Sequence, residues 1–131
     1  MSLAELNSTL HASFSMPSDQ EEKACFYVSP ADHPKIGLMI LNGRLERVDV
    51  EALGVQTDKG IHNGDSESDA IRAYGKSLKV TPHAYTAPEG HYLTVRSPKG
   101  SYGIRFETYK GRIVKYYAGR LDAISFIEGC D

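Results

Sequence analysis

Three segments of the C-terminal half, HYLTVRS, YGIRFET and RIVKYYAG, are rich in β-branched and aromatic residues and are separated by Pro98-Lys99-Gly100 and Tyr109-Lys110-Gly111. Short glycine-bearing turns between such segments join antiparallel neighbours, so this stretch reads as a β meander. Alternation with a period of two puts Leu93, Val95, Ile104 and Phe106 on one face and Thr94, Arg96, Arg105 and Glu107 on the other. The pattern is that of a sheet with one covered face.

The same reading extends upstream. CFYVS is bounded by Pro30, and IGLMIL and RLERVDV flank Asn42-Gly43, the dipeptide that best suits a two-residue hairpin because both central residues need positive φ. That turn pairs Ile40 with Leu45 but also Leu38 with Arg47, so a bulge or two-sided burial of the first strand is expected. SLKVTPHAY adds a strand, and AISFIEG reads as a final one in which Ile124 and Phe126 alternate. Residues 1–23 are polar, with LHASF as a short strand or frayed arm and MPSDQEEK as a solvated loop. The expected organisation is a flexible or weakly ordered arm over 1–23 and a single domain over 24–131. A chain of 131 residues is long enough to bury about two thirds of its unfolded surface in one core.

The segment GIHNGDSESDAIRAYG, residues 60–75, offers three chemistries. A phosphate loop is disfavoured, because the glycines do not follow a phosphate-binding spacing and Asp65, Glu67 and Asp69 repel an anion. A calcium loop is disfavoured too: Ala70 stands where the sharp turn needs glycine, and Lys76 where a bidentate glutamate belongs. A capped helix accounts for the residues best. Ser66 is a good N-cap, Asp69 completes an approximate capping box, acidic side chains suit the helix N-terminus, and Gly75 ends the element. Ile71 and Tyr74 are expected to dock it on the sheet.

The spacing Gly64-x-Ser66-x-x-x-Ala70-x-x-x-Tyr74-Gly75 resembles the helix-sheet unit of β-lactamase inhibitory proteins and of small outer-membrane-assembly lipoproteins. The flanking GVQTDKGIHNG and YGKSLKV are similar to a recurrent pattern of small exported bacterial domains. About a dozen residues carry the match, and one such unit is visible here where the inhibitory proteins repeat it. The resemblance implies an exported α+β domain that works by binding a protein; the binding residues of those families lie outside the matched motif, so none is carried over.

Charge excludes one class of partner. Fifteen Lys and Arg against 17 Asp and Glu, interspersed, leave no basic stripe for nucleic acid. The longest apolar run, near Ile36–Leu41, is far short of the roughly 20 residues of a membrane span. The opening MSLAEL lacks the basic region, apolar core and cleavage site of a signal peptide. Cys25 and Cys130 both border apparent strands, and a bridge between them would tie down the C-terminal segment in an oxidising compartment. The expectation is a disulfide in a mature periplasmic or secreted chain from which a signal has been removed; the alternative is two thiols in a cytosolic protein.

Five histidines are present, and only His83 and His91, in PHAYTAPEGHY, share a neighbourhood. With Glu89 they supply ligand types that zinc accepts, without HExxH or CxxC spacing to fix a geometry. No GxSxG elbow is present. A metal-dependent hydrolase is therefore the least favoured reading, and no cofactor is expected. The tyrosines stand out instead: eight Tyr and no Trp, with Tyr85, Tyr92, Tyr102, Tyr109, Tyr116 and Tyr117 in the meander beside Arg96, Arg105, Arg112 and Arg120. Phenol rings offer contact area at low entropic cost, which favours interfaces and sugar stacking. They are also good strand residues that can lie flat on an open sheet.

These readings combine into an α+β fold, an antiparallel meander sheet with one short α-helix packed on one face. The expected function is non-catalytic binding of another protein through an open Tyr/Arg face made by Tyr85, Tyr92, Arg96, Tyr102, Arg105 and Tyr116. The alternative is a small-ligand or glycan site at the 82–92 loop.

Overall fold

A computed structural model describes residues 1–10 and 24–130. The fold is α+β. Helix α1 (Leu3–Leu10) precedes strands β1 (Cys25–Val28), β2 (Ile36–Leu41) and β3 (Arg44–Val50). Helix α2 (Glu67–Tyr74) and a 3₁₀ turn (Gly75–Ser77) lead into β4 (Leu78–Pro82), β5 (Gly90–Arg96), β6 (Tyr102–Tyr109) and β7 (Arg112–Arg120), and a single helical turn, α3 (Leu121–Ile124), follows. The strands form one seven-stranded sheet in the order β1-β2-β3-β7-β6-β5-β4, antiparallel throughout.

The hairpin reading holds, with its irregularity. Asn42 and Gly43 have φ of 52° and 81°, as a primed turn requires. Ile40 pairs with Leu45, and a bulge then brings Leu38 opposite Val48 instead of Arg47. The extra residue lets Leu38, Ile40 and Val48 reach one core while Arg47 turns to the other face.

Helix α2 has both expected ends. The Ser66 side chain accepts from the Asp69 amide at 3.1 Å and the Asp69 carboxylate accepts from the Ser66 amide at 3.4 Å. Gly75 has φ 58° and ψ −130°, open to a residue without Cβ. The docking residues differ from expectation. Ala70 is fully buried and Ala73 and Tyr74 pack beside it, whereas Ile71, one step round the helix, is 43% exposed. Ala70, Ala73 and Tyr74 are spaced i, i+3, i+4 and form the true apolar stripe.

The N-terminal stretch begins with a helix, and one later element departs from the sequence reading. Leu3–Leu10, which reaches only the first residue of LHASF, is helical: Ser2 and Glu5 exchange side-chain bonds with each other's amides, and Leu6 packs with Phe26, Leu38 and Ile40. The rest of LHASF and MPSDQEEK lies outside the described residues. AISFIEG is not a strand: its first two residues, Ala123 and Ile124, end the helical turn Leu121–Ile124 and are both fully buried. Gly103 makes this possible, because a Cβ there would lie 2.9 Å from Leu121 Cδ2 and 3.2 Å from Ile124 Cδ1.

The main core lies between α2 and the sheet, where Val50, Leu93, Val95, Phe106, Ile113 and Tyr116 are buried. The opposite face is not open at its centre: α3 and the C-terminal segment lie over it, tied by a Cys25–Cys130 disulfide. No helix among the described residues is long and apolar enough to cross a membrane.

Candidate functional site

The face beneath α3 carries a buried polar network. Arg47, 2% exposed, donates from Nε and Nη2 to the two carboxylate oxygens of Asp49 at 2.7 and 2.9 Å, and from Nη1 to the carbonyls of Ala123 and Phe126 at 3.0 Å each. Its guanidinium stacks on Tyr117, whose hydroxyl donates to Glu107 Oε2 at 2.9 Å. Burial, followed by the neighbouring Glu107 carboxylate, pushes the Tyr117 phenol well above the usual tyrosine range. Glu107 Oε1 also lies 2.7 Å from His83 Nε2, and the Tyr85 amide donates to His83 Nδ1 at 3.0 Å. The latter bond places the imidazole proton on Nε2, so His83 donates to Glu107 and has no ring nitrogen left for a metal or a reacting proton.

His91 is elsewhere. Its Nδ1 lies 2.8 Å from Glu67 Oε2, which also accepts from Thr108 Oγ1 at 2.5 Å. Glu67 opens α2, so this group ties the helix to β5 and β6. His83 faces the polar network and His91 faces α2, and the proposed convergence with Glu89 does not occur. Among the described residues no group of three or more His, Cys, Asp or Glu side chains could hold a metal.

The six tyrosine and arginine candidates do not share one surface. Tyr116 is 4% exposed within the main core, its hydroxyl donating to the Val55 carbonyl at 2.9 Å. Consecutive residues of β7 point to opposite faces, so Tyr116 and Tyr117 were bound to separate. Tyr92 is buried between the His83 ring, at 4.5 Å, and the Arg105 guanidinium, at 4.6 Å; Arg105 is half-buried and donates to Thr94. These three corrections remove the continuous open face. Tyr85 is 61% exposed beside the C-terminal segment, its hydroxyl bonded to Glu128. Arg96 and Tyr102 remain exposed at the ends of β5 and β6, where they meet at a cleft.

That cleft, about 430 Å³, opens between the C-terminal end of α2, the 3₁₀ turn and the adjoining ends of β5 and β6. Ala73, Tyr74, Val95 and Ile104 supply apolar lining that belongs to or packs on the main core, and Tyr102 is 55% exposed at the mouth. The far rim is the 51–66 loop. Asn63 anchors it by donating to the Val50 and Ala52 carbonyls at 3.0 Å. The Tyr74 hydroxyl, 2.7 Å from Thr57 Oγ1 and 3.2 Å from Asp58 Oδ1, pins the loop tip against the helix. Asp58 and Lys59 thereby line the cleft together with Arg96 and Ser97. Sequence reasoning missed Lys59, Asp58 and Tyr74 as site residues, because nothing in the pattern of QTDKG says which strand end the loop folds across.

A second hollow of about 440 Å³ lies against the disulfide, bordered by Leu41, Tyr85, Phe126, Ile127 and Glu128. Comparison with protein-family models, curated proteins and solved structures finds no significant match to this chain.

Proposed function

We propose that this chain is an exported, non-catalytic binding domain whose ligand seat is the cleft between α2 and the ends of β5 and β6. The observation that carries the reading is the cleft itself: an apolar floor continuous with the core, aromatic walls from Tyr74 and Tyr102, and a few charged groups at the rim. Its size falls within the roughly 300–1,000 Å³ of small-molecule sites, and this mixture of lining is theirs. Export is supported by the Cys25–Cys130 disulfide, which persists in oxidising compartments. Small-ligand binding moves from the 82–92 loop to this cleft, because His83 and Tyr92 are occupied by internal contacts.

The test uses Nile red, a neutral apolar dye, with the intact protein. A saturable fluorescence rise that disappears in Ser77→Trp, which fills the cleft from its exposed rim, supports the reading. Dye binding unaffected by Ser77→Trp, or no binding, overturns it.

Protein binding stays as a second reading on a different observation. Tyr85, Phe126 and Ile127, 61%, 39% and 45% exposed, cluster beside the disulfide, the last two on a segment held by Arg47. Rigid exposed apolar residues of this kind mark interfaces, and the resemblance of the Gly64–Gly75 unit to inhibitory proteins points the same way. Loss of a cross-linked partner in an Ile127→Asp variant of unchanged stability supports it.

A further inference from the structure

The charges around the cleft are unequal in a way that selects a ligand. Asp58 is engaged by the Tyr74 hydroxyl. Lys59 and Arg96 line the same cleft, both exposed, and neither side chain makes a hydrogen bond, ion pair or ring contact with any described residue. Several other cations of the sheet and α2 are engaged within the chain: Arg47 by Asp49, Arg72 by Asp69, Lys115 by Glu107, Arg120 by Glu46 and Asp122, and Arg105 by Tyr92 and Thr94. Two unspent positive charges thus stand at the mouth of an apolar cleft whose one carboxylate already has a partner.

Resting on the ligand-cleft reading, we propose that the cleft binds a small amphipathic carboxylate, its apolar body on Ala73, Val95 and Ile104 and its carboxyl group held by Arg96 and Lys59. The guanidinium offers a planar fork of donors that matches a carboxylate, and Lys59 adds a point charge. The apolar floor excludes a bare inorganic anion as the preferred occupant, since such an ion gains nothing from it. A neutral apolar molecule fits the floor but leaves both cations unanswered. An extended peptide strand is disfavoured by the neighbouring sheet edge. The His83 amide bonds to the Gly90 carbonyl, so alternation turns Leu78, Val80 and Pro82 outward along β4. Leu78 N–H is already spent on the Gly75 carbonyl and Pro82 has no N–H, which leaves Val80 as the single outward donor of the strand.

The experiment compares a dansylated undecanoate with its methyl ester by fluorescence titration of the intact protein. The acid should bind about tenfold more tightly than the ester, the discrimination of roughly one charge-assisted contact. In the double variant Lys59→Gln/Arg96→Gln that preference should vanish while ester affinity is retained. Equal affinity of acid and ester in the parent protein overturns the carboxylate inference and leaves the ligand cleft standing. Failure of both probes removes both. A preference for acid that survives the double variant also overturns the inference, by placing the anion elsewhere. Binding to vesicles of anionic phospholipid tighter than to the free acid overturns it in favour of a lipid surface.

Discussion

The guanidinium of Arg47 sits 3.6 Å from the centre of the Tyr117 ring, with Asp49 bonded to its edge and two carbonyls of the C-terminal segment at its end. One buried side chain therefore joins the middle of the sheet to the last residues of the chain. Arg47→Met keeps the volume but leaves Asp49 without its countercharge and two carbonyls without donors. It should cost about 3 kcal/mol, the lower end for breaking a buried ion pair. Arg47→Lys should cost less, because a single ammonium retains the charge but not the fork. Urea unfolding followed by circular dichroism checks both; a Met variant as stable as the parent removes Arg47 as an anchor.

Alkaline sensitivity follows from the phenols. Burial is the leading cause that raises Tyr74, Tyr92, Tyr116 and Tyr117 above the ordinary tyrosine value. Each holds its proton more tightly in the folded chain than in the unfolded one. Their contribution is therefore whole below about pH 10, the unfolded value, and is lost as pH rises through the folded values. The urea midpoint should be flat through neutral pH and fall steeply above about pH 10. Phenolate absorbance should show these four tyrosines ionising only as the chain unfolds. A midpoint level to strongly alkaline pH sinks the prediction.

How much of this was legible in the sequence depends on which force decided each residue. The hairpin at Asn42-Gly43 and the capped start of α2 were readable because positive φ and unsatisfied amides are local problems with few chemical solutions. The faces of β5 and β6 were readable because alternation is local too. The fate of the second face was not. Glu107 and Tyr117 lie on the face that alternation assigns to solvent, and the fold of 121–130 onto that face, through Gly103 and Arg47, helps make them interior. AISFIEG alternates well enough to pass for a strand, yet β7 has neighbours on both sides, so the segment turns instead onto the space that Gly103 leaves. The cleft was half legible: Arg96 and Tyr102 were singled out, but Lys59 reaches it through a loop whose course is set by Asn63 and Tyr74.

The cap of α2 has its own test. Ser66→Ala removes the acceptor for the Asp69 amide and one side of the reciprocal pair. The expected loss is about 1 kcal/mol. Ser66→Asp, which can still accept, should recover most of it. Since α2 carries Tyr74 and through it the 57–58 loop tip, amide exchange in that loop should quicken in the alanine variant and not in the aspartate one. A destabilised alanine variant that aspartate fails to rescue assigns the loss to something other than capping.

The disulfide separates two ways of holding the C-terminal segment. It links residues 105 apart, and a loop of that length removes enough freedom from the unfolded chain to contribute on the order of 4 kcal/mol in the chain-entropy account. Arg47 holds the same segment independently, by bonds to Ala123 and Phe126 that need no bridge. Intact mass after alkylation of the native protein should therefore show no modified thiol until a reductant is added. The reduced chain should stay folded without urea but unfold at a lower midpoint. Amide exchange should quicken beyond Phe126 more than within Leu121–Ile124, since the latter keeps its packing on Gly103 and its tie to Arg47. Combining Cys25→Ser/Cys130→Ser with Arg47→Met should loosen the whole of 121–130 by more than the two changes summed separately, because each constraint limits what the loss of the other can release. Two thiols that alkylate at once in the unreduced protein would remove the staple, and with it the physical ground for export.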